Sequence, residues 1–286
     1  MMDCKKALEA NDGDMDKAIE LLREKGLATQ AKKSSRAAAE GIVTAVVKGN
    51  VGVILEVNTE TDFAANTDDI KNFVNAVANT IIEKNPADVE ALKAETISDG
   101  TSTVGDVLTE LAGMKIRENI VIRRFERREG VLATYIHNGG SIGVMVKLDT
   151  ALAADQVAAI GKDVAMQSAA LNAPYLNREE VPADVLEKEK EIMLAQMAED
   201  PKMASKPEQV RVKIVEGKIG KYYSENCLLE QAFVKDDKLS VQGYVDAEAK
   251  KLGGTIAVTE VIRYERGEGV EKKEDNLADE VAKMIK

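Results

Sequence analysis

Aromatic side chains are scarce in this 286-residue chain: tryptophan is absent, and aromatic residues make up 3% of the sequence. The hydrophobic cores must therefore rest on aliphatic side chains and methionine. The length suffices for two or three compact units. Because aromatic residues are so few, each one that the pattern places at a surface is informative, since aromatic anchors dominate many protein interfaces.

Cysteine and histidine are also rare. Cys4 and Cys227 stand at opposite ends of the sequence, outside any CxxC pair, and His137 is the only histidine. This set is too small for a Cys/His zinc site. Neither cysteine has a plausible pairing with histidine and aspartate, because His137 is the single candidate for both, so we expect reduced thiols, no metal and no cofactor. A lone histidine without a neighbouring carboxylate is more typical of a structural or interface position than of a catalyst.

Positive charge is in deficit, and long apolar runs are missing. The net charge is -11 and the isoelectric point is about 4.9. Proteins that bind a phosphate backbone need the opposite balance, so direct nucleic-acid binding is not expected. Without an apolar run of membrane-spanning length or a signal-peptide pattern, the sequence predicts a cytoplasmic protein with no membrane contact.

No phosphate-binding motif is present either. The nearest glycine-rich run, Gly139-Gly140-Ser141-Ile142-Gly143, lacks dinucleotide-binding spacing and leads into a strand, which predicts a hairpin turn. With 50 acidic residues in the chain, any pair of carboxylates is weak evidence for acid–base catalysis. We therefore expect no enzyme, and a hydrolase with a dispersed carboxylate site is a disfavoured alternative.

An internal duplication indicates the architecture. Two β-rich runs, each entered through a glycine turn and followed by a helix, resemble each other at 49–57 and 140–148. Two further strands, each preceded by a helix, resemble each other at 122–127 and 261–266. The repeated order predicts an α+β fold with two related subdomains, whose antiparallel sheets are covered by helices.

The remaining segments flank or interrupt these subdomains. We expect two short helices in 1–26, the second capped by Asp14 and closed at Gly26, then an exposed basic helical linker. The predicted units are 1–26, a linker at 27–41, subdomains at 42–128 and 129–265, and a helical module at 266–286 with an amphipathic helix from Asp275.

A helical hairpin is predicted as an insertion at about 180–226 in the second subdomain. Its narrow apolar seam includes Leu186, Met193 and Met197 in a background of charged residues. The seam is expected either to pack on itself or to pair with a second copy, which leaves a homodimer or a scaffold protein as alternatives.

The turn Glu60-Thr61-Asp62-Phe63-Ala64 lies between a buried-looking strand and a helix. One interpretation is a plain strand-to-helix turn, with a threonine or aspartate cap and Phe63 as a hydrophobic staple. The other is a projecting loop in which an aromatic anchor beside a carboxylate forms a protein-binding site. Spacing alone does not decide between them.

Four segments resemble, in order, the signatures of the bacterial elongation factor Ts family. Met1 to Leu8 resembles the end of TGAGMMDCKKAL, and Ile54 to Ala64 resembles the signature centred on ETDF. Ile116 to Arg124 resembles KIGEN-xxxRR, and Tyr135 to Val146 resembles YxHxGGRIGVLV. The resemblance covers essentially the whole chain.

The resemblance implies a translation elongation factor without covalent chemistry. Such a factor binds elongation factor Tu·GDP and promotes GDP release by disturbing the magnesium and phosphate site of the GTPase domain, which allows GTP to rebind. The implied partner-binding residues are those of the turn, Thr61, Asp62, Phe63 and Ala64, with Ile116, His137, Met1 and Met2 as further contacts.

The resemblance also implies a partial ubiquitin-associated-like helical domain at the N-terminus, without the family's usual first helix. The C-terminal module is expected to reach the same GTPase domain. Two positions depart from the family pattern: Ser141 stands where arginine is usual, and Arg117 stands where glycine is usual.

Overall fold

The computed structural model describes residues 2–270 and consists of helices packed on antiparallel sheets, which confirms the predicted α+β class. The strands are β1 Glu40–Lys48, β2 Val51–Thr59, β3 Val121–Glu129, β4 Val131–His137, β5 Ile142–Thr150, β6 Ala232–Phe233, β7 Asp236–Ser240 and β8 Ile256–Glu265. The helices are α1 Met2–Ala10, α2 Met15–Lys33, α3 Asp62–Ala65, α4 Asp68–Lys84, α5 Val89–Ala94, α6 Val104–Glu110, α7 Ala154–Ala170, α8 Ala183–Glu199, α9 Pro201–Ala204, α10 Glu208–Asn226 and α11 Val241–Lys251.

The chain divides into two compact units. The described part of the first comprises residues 2–128, Ile136–Gly143 and 264–270, and the second comprises Glu129–Tyr135 and Val144–Arg263. The order of elements repeats as the sequence predicted: β2 precedes α4 as β5 precedes α7, and α6 precedes β3 as α11 precedes β8. The predicted boundaries at 26, 41, 128 and 265 stay predictions.

In the first unit, β2 is the central strand of the sheet β1-β2-β3 and is buried on both faces. Its hairpin with β1 turns at Gly49, whose φ of 61° lies in the left-handed region that favours glycine. One face of β2 packs with α4 in a largely aliphatic core that also includes Phe73. This two-sided burial makes β2 a rigid support for whatever follows it.

The second unit contains most of the sheet β4-β5-β8, with α7 packed closely on it. Gly161 of α7 permits this approach, because an added Cβ would lie 2.5 Å from the Cβ of Ala133. The predicted helical hairpin is confirmed as α8 and α10, which contact each other through a small seam. Its buried members are Met197, Val215 and Ile219.

Two turn predictions are confirmed. Asp14 caps α2, since its carboxylate accepts a hydrogen bond from the backbone N–H of Lys17 at 3.1 Å. The glycine-rich run forms a short 3₁₀ turn, Asn138–Gly140, between β4 and β5. Gly139 and Gly140 both have a positive φ there.

The predicted end of α2 at Gly26 is wrong, because the helix continues to Lys33 through the first part of the expected linker. Gly26 serves close packing: α2 lies on α6 and on a π-helical turn, Leu111–Lys115. A Cβ added at Gly113 would lie 2.8 Å from the Cα of Gly26. The local sequence does not distinguish a glycine that is needed for close packing against a distant segment from a glycine that ends a helix.

Candidate functional site

The segment that follows β2 is a short helix with two exposed and two buried residues. Thr61 caps α3, because its Oγ1 accepts a hydrogen bond from the N–H of Ala64 at 3.2 Å. Ala64 and Ala65 are buried, whereas Asp62 and Phe63 are exposed. The helix is thus anchored by its alanines and presents Asp62 and Phe63 to solvent.

Phe63 is 83% exposed, so the staple interpretation of this side chain is wrong. The contrast with Phe73 and Phe233, each 3% exposed, shows that the fold buries phenylalanine elsewhere. Full burial of such a side chain is worth about 1.5–3 kcal/mol, which Phe63 does not gain among the described residues. An aromatic residue on a fixed turn beside a carboxylate has the composition of a protein-binding hot spot.

A second segment, Glu118 and Asn119, holds this turn in place. The Glu118 carboxylate accepts hydrogen bonds from the N–H of Thr61 at 3.0 Å and from its hydroxyl at 2.7 Å. The backbone N–H of Asn119 donates to the Glu60 carboxylate at 2.6 Å. Every one of these contacts fixes the two residues that immediately precede Asp62.

The end of α2 and the residues that follow it also reach this region. Arg36 pairs with Glu60 at 3.4 Å, and the buried side-chain amide of Asn119 donates to the Arg36 carbonyl at 2.8 Å. Lys33 donates to the carbonyl of Arg117. Burial and the nearby charge of Arg36 lower the pKa of Lys33, against the opposing effect of Glu60.

Behind the turn, Glu56 of β2 is a fully buried carboxylate. It accepts hydrogen bonds from Arg123 at 3.0 Å, from Arg124 at 2.7 Å, from Asn58 at 3.1 Å and from the N–H of Gly267 at 2.8 Å. Burial raises the pKa of Glu56, but these hydrogen bonds and the Arg124 charge together hold it below the ordinary value. Arg124 also lies over the ring of Tyr264, 4.0 Å from the centroid.

The structure gives Ile116 and His137 different environments. Ile116 follows the π-helical turn and is half-buried against the core of the first unit. His137 is exposed at the end of β4, and its carbonyl accepts from the N–H of Ser141 at 3.2 Å. The turn after His137 packs on β1, where an added Cβ at Gly140 would lie 2.9 Å from Ile42. Because α3 also contacts β1, both segments lie on the same strand.

The two departures from the family pattern differ in consequence. Arg117 has a φ of 63°, a conformation that suits glycine better than arginine. Ser141 has an ordinary φ of -71°, and its carbonyl accepts from the N–H of Arg266 at 2.9 Å. Arg117 therefore carries backbone strain at the entrance to the Glu118 segment, and Ser141 does not.

Several predicted contacts lie beyond these observations. Met1 and the C-terminal helix from Asp275 lie outside the described residues. Met2 is described only as the first residue of α1. Their partner-binding roles stay predictions, as do those of Ile116, His137 and the turn itself.

Glu56, Glu118 and Asn119 belong to the candidate site but are not indicated by the sequence pattern, and Glu60 is indicated only as the first residue of the turn. All four fall inside the segments that carry the resemblance, so their position in those segments was the only available signal. Their role depends on contacts between residues about 60 positions apart, which periodicity does not reveal.

Within 2–270, no group of three or more histidine, cysteine, aspartate or glutamate side chains is arranged to hold a metal ion. Cys227 is buried, and this burial raises the pKa of its thiol. Among the helices described, none has the length and apolar composition needed to cross a membrane.

A fixed turn that presents an exposed aromatic residue on an α+β scaffold is typical of the class of proteins that act through a binding surface. The sequence model of the family described as Elongation factor TS matches residues 60–268. This match covers the described site from Glu60 onward, and it spans well over half of the chain.

Curated relatives agree over the whole length. The chain is 46% identical over 290 residues to the elongation factor Ts of Syntrophotalea carbinolica, covering 100% of this chain and 94% of the relative. It is 48% identical over 289 residues to that of Clostridium perfringens strain SM101, with 99% and 93% covered. It is 47% identical over 291 residues to that of Clostridium kluyveri strain ATCC 8527, with 100% and 94% covered.

The chain belongs to the elongation factor Ts family. It is accordingly a translation elongation factor of the nucleotide-exchange class, as the sequence resemblance implied. This assignment gives the exposed turn a specific context, because an exchange factor works by binding a nucleotide-loaded partner.

Proposed function

We propose that this protein releases GDP from elongation factor Tu by inserting Phe63 into an apolar crevice of the GTPase domain, with Asp62 beside the magnesium and phosphate site. The observation that carries the proposal is the exposure of Phe63 on a turn that Glu118 and Asn119 hold by hydrogen bonds. A side chain that is to insert into a partner must be exposed in the free protein and fixed in direction, and Phe63 has both properties. Because this partner works in translation, we place the protein in the cytoplasm.

The proposed mechanism is a coupling between two binding events. If the crevice opens only when the partner distorts, burial of Phe63 stabilises the distorted, GDP-releasing state. That burial supplies about 1.5–3 kcal/mol, which falls short of the energy that holds a tightly bound nucleotide. Further contacts must contribute, and we assign them to Ile116, His137, Met1, Met2 and the C-terminal helix.

The coupling between binding of the factor and binding of GDP is reciprocal, so the exchange is reversible. A factor that weakens GDP binding is itself bound more weakly by the GDP-loaded partner, by the same ratio. GTP rebinding then displaces the factor and completes the exchange. No covalent step is needed at any stage, so the proposal requires no catalytic residue.

The experiment that tests this function measures release of fluorescent GDP from elongation factor Tu after addition of the wild-type protein. Release should accelerate with factor concentration and then saturate. Phe63→Ala should lower the maximal release rate by about tenfold or more, because about 1.4 kcal/mol of lost burial corresponds to a factor of ten. No acceleration by the wild-type protein would remove the proposal.

A matched control separates the site from general surface effects. Val234 in the second unit is a large apolar residue that is 48% exposed, and Val234→Ala should leave the release rate unchanged. The unfolding midpoints of wild type, Phe63→Ala and Val234→Ala should agree, since neither side chain is buried. An unfolded Phe63→Ala variant would indicate a core role instead.

A scaffold function through the hairpin has less support. The buried seam of α8 and α10 is satisfied within one chain, as Met197, Val215 and Ile219 show. A homodimer through this hairpin stays a prediction, and the molar mass in solution by light scattering tests it.

A further inference from the structure

We propose that Glu118 is a positioning residue for nucleotide exchange, which acts by holding the cap of α3 and thereby fixing the direction of Phe63. This inference rests on the proposed function of Phe63 and extends it to a side chain outside the turn. Glu118 belongs to the segment before β3, 57 residues away from Thr61 in sequence.

The geometry joins Glu118 to α3 through one hydroxyl group. The Oγ1 of Thr61 accepts a hydrogen bond from the N–H of Ala64 at 3.2 Å and donates one to Glu118 at 2.7 Å. Since an ionised carboxylate can only accept, it draws the hydroxyl hydrogen toward itself and leaves a lone pair directed at Ala64. The cap and the carboxylate thus fix the Thr61 side chain in one rotamer.

The same carboxylate also fixes the backbone at the start of the helix. The N–H of Thr61 donates to the second oxygen of Glu118 at 3.0 Å. Hydrogen bonds to an ionised acceptor are stronger than neutral ones, and two of them from one residue restrict both its position and its orientation. Thr61 is two residues before Phe63, so little freedom remains between the held residue and the wedge.

External support matters here because α3 has four residues. A helix of one turn does not offset the cost of its own nucleation, so its geometry must come from contacts outside it. The buried alanines hold one side of the turn, and Glu118 holds its N-terminal end. Without Glu118, the hydroxyl of Thr61 would keep its hydrogen bond with Ala64 but lose the one to the carboxylate, and the direction of Phe63 would become variable.

The first test is a double-mutant cycle on GDP release from elongation factor Tu. Glu118→Ala should lower the maximal release rate by about tenfold, equivalent to about 1.4 kcal/mol, with a smaller change in the half-saturating concentration. In a Phe63→Ala background the same substitution should change the rate by less than about twofold, because a positioning effect vanishes with the group that it positions. An equal loss in both backgrounds would overturn the proposal.

Conservative variants separate positioning from folding. Glu118→Gln retains an acceptor for the Thr61 N–H and should recover part of the rate, while Thr61→Val removes the hydroxyl at similar volume and should reproduce the loss. Glu90→Ala removes an exposed carboxylate of the same unit, which pairs with Lys93 at 2.7 Å, and should have no effect. Should Glu118→Ala fail to fold, Thr61→Val and Glu118→Gln carry the same comparison.

The second test needs no partner and so distinguishes failure of this inference from failure of the proposed function. The chain has no tryptophan, so Phe63→Trp introduces a single indole at the tip of the turn. Its time-resolved fluorescence anisotropy should show restricted nanosecond motion, and Glu118→Ala should increase the amplitude of that motion, whereas Glu90→Ala should not. An indole that moves equally in all three proteins would overturn the positioning role even if exchange activity is confirmed. If the wild-type protein releases no GDP, the anisotropy result alone decides whether Glu118 holds the turn.

Discussion

Replacement of the buried carboxylate of Glu56 by an amide, Glu56→Gln, should destabilise the first unit by about 2–4 kcal/mol. Removing one partner of a buried ion pair costs about 3–5 kcal/mol, because the opposite charge is left without compensation. Here the side chains of Arg123 and Arg124 remain 26% and 31% exposed, so water recovers part of that energy and the estimate is reduced. The new amide group also places a donor where both arginines donate.

The assay is urea denaturation followed by circular dichroism at pH 7, with Glu126→Gln as the matched control. Glu126 pairs with Arg128 at 2.7 Å but is 43% exposed, and surface pairs contribute about 0–1 kcal/mol. Glu56→Gln should move the midpoint at an unchanged slope, and Glu126→Gln should leave it nearly in place. A loss below 1 kcal/mol for Glu56→Gln would refute the assignment of Glu56 as the central acceptor of this cluster.

The pH dependence of the unfolding free energies of wild type and Glu56→Gln provides an independent check. The pKa of Glu56 is lower in the folded protein than its ordinary value of 4.5, so the unfolded state binds a proton more readily. The stabilisation by Glu56 is therefore fully present above that ordinary value and is lost as the pH falls through the lower folded value. The difference in unfolding free energy between wild type and Glu56→Gln should narrow accordingly below pH 4.5.

Two further substitutions test the region around the π-helical turn by thermal denaturation. Arg117→Gly should stabilise the protein by about 0.5–1 kcal/mol. The reason is that glycine adopts the positive φ of this residue without strain, and this gain exceeds the cost of the added entropy of the unfolded chain. A loss of stability would contradict the strain at Arg117. Gly113→Ala should destabilise it by about 1–3 kcal/mol, because the new methyl group would meet the Gly26 backbone at 2.8 Å; an unchanged midpoint would contradict the close packing of α2.

Features of this fold that depend on neighbouring residues could be predicted from the sequence. The cap at Asp14 and the glycine turn before β5 follow from local chemistry, and the duplicated order of strands and helices follows from the internal repeat. The family segments also led to Phe63, but the choice between a staple and an exposed anchor needed the structure. Sequence spacing is the same in both cases, and only the direction of the side chain differs.

Features that depend on distant contacts could not be predicted in this way. Gly26 has the appearance of a helix stop, yet its role is set by Gly113 on another element. Glu56 and Glu118 are two carboxylates among 50 acidic residues, and nothing in their local pattern separates them from solvated ones. Burial and pairing distinguish them, and both are properties of the folded chain.

The contacts around the turn share one geometric order. Near the end of β2, Glu56 forms ion pairs with Arg123 and Arg124. The residues that follow Glu56 contact residues that precede Arg123. Glu60 meets Asn119, and Thr61 meets Glu118. Each step forward on one segment is matched by a step back on the other, as in the pairing of antiparallel neighbours.

This order indicates that the turn is fixed by contacts that continue the pairing of β2 and β3. Where the backbone ladder between β2 and β3 stops, side-chain carboxylates continue the pairing for two more residues and fix the start of α3. In the proposed function, Phe63 would therefore press on the partner from a support that is continuous with the buried core of the first unit. Preorganisation of this kind lowers the ordering cost of binding, so under the proposed function the burial energy of Phe63 would be available to distort the partner.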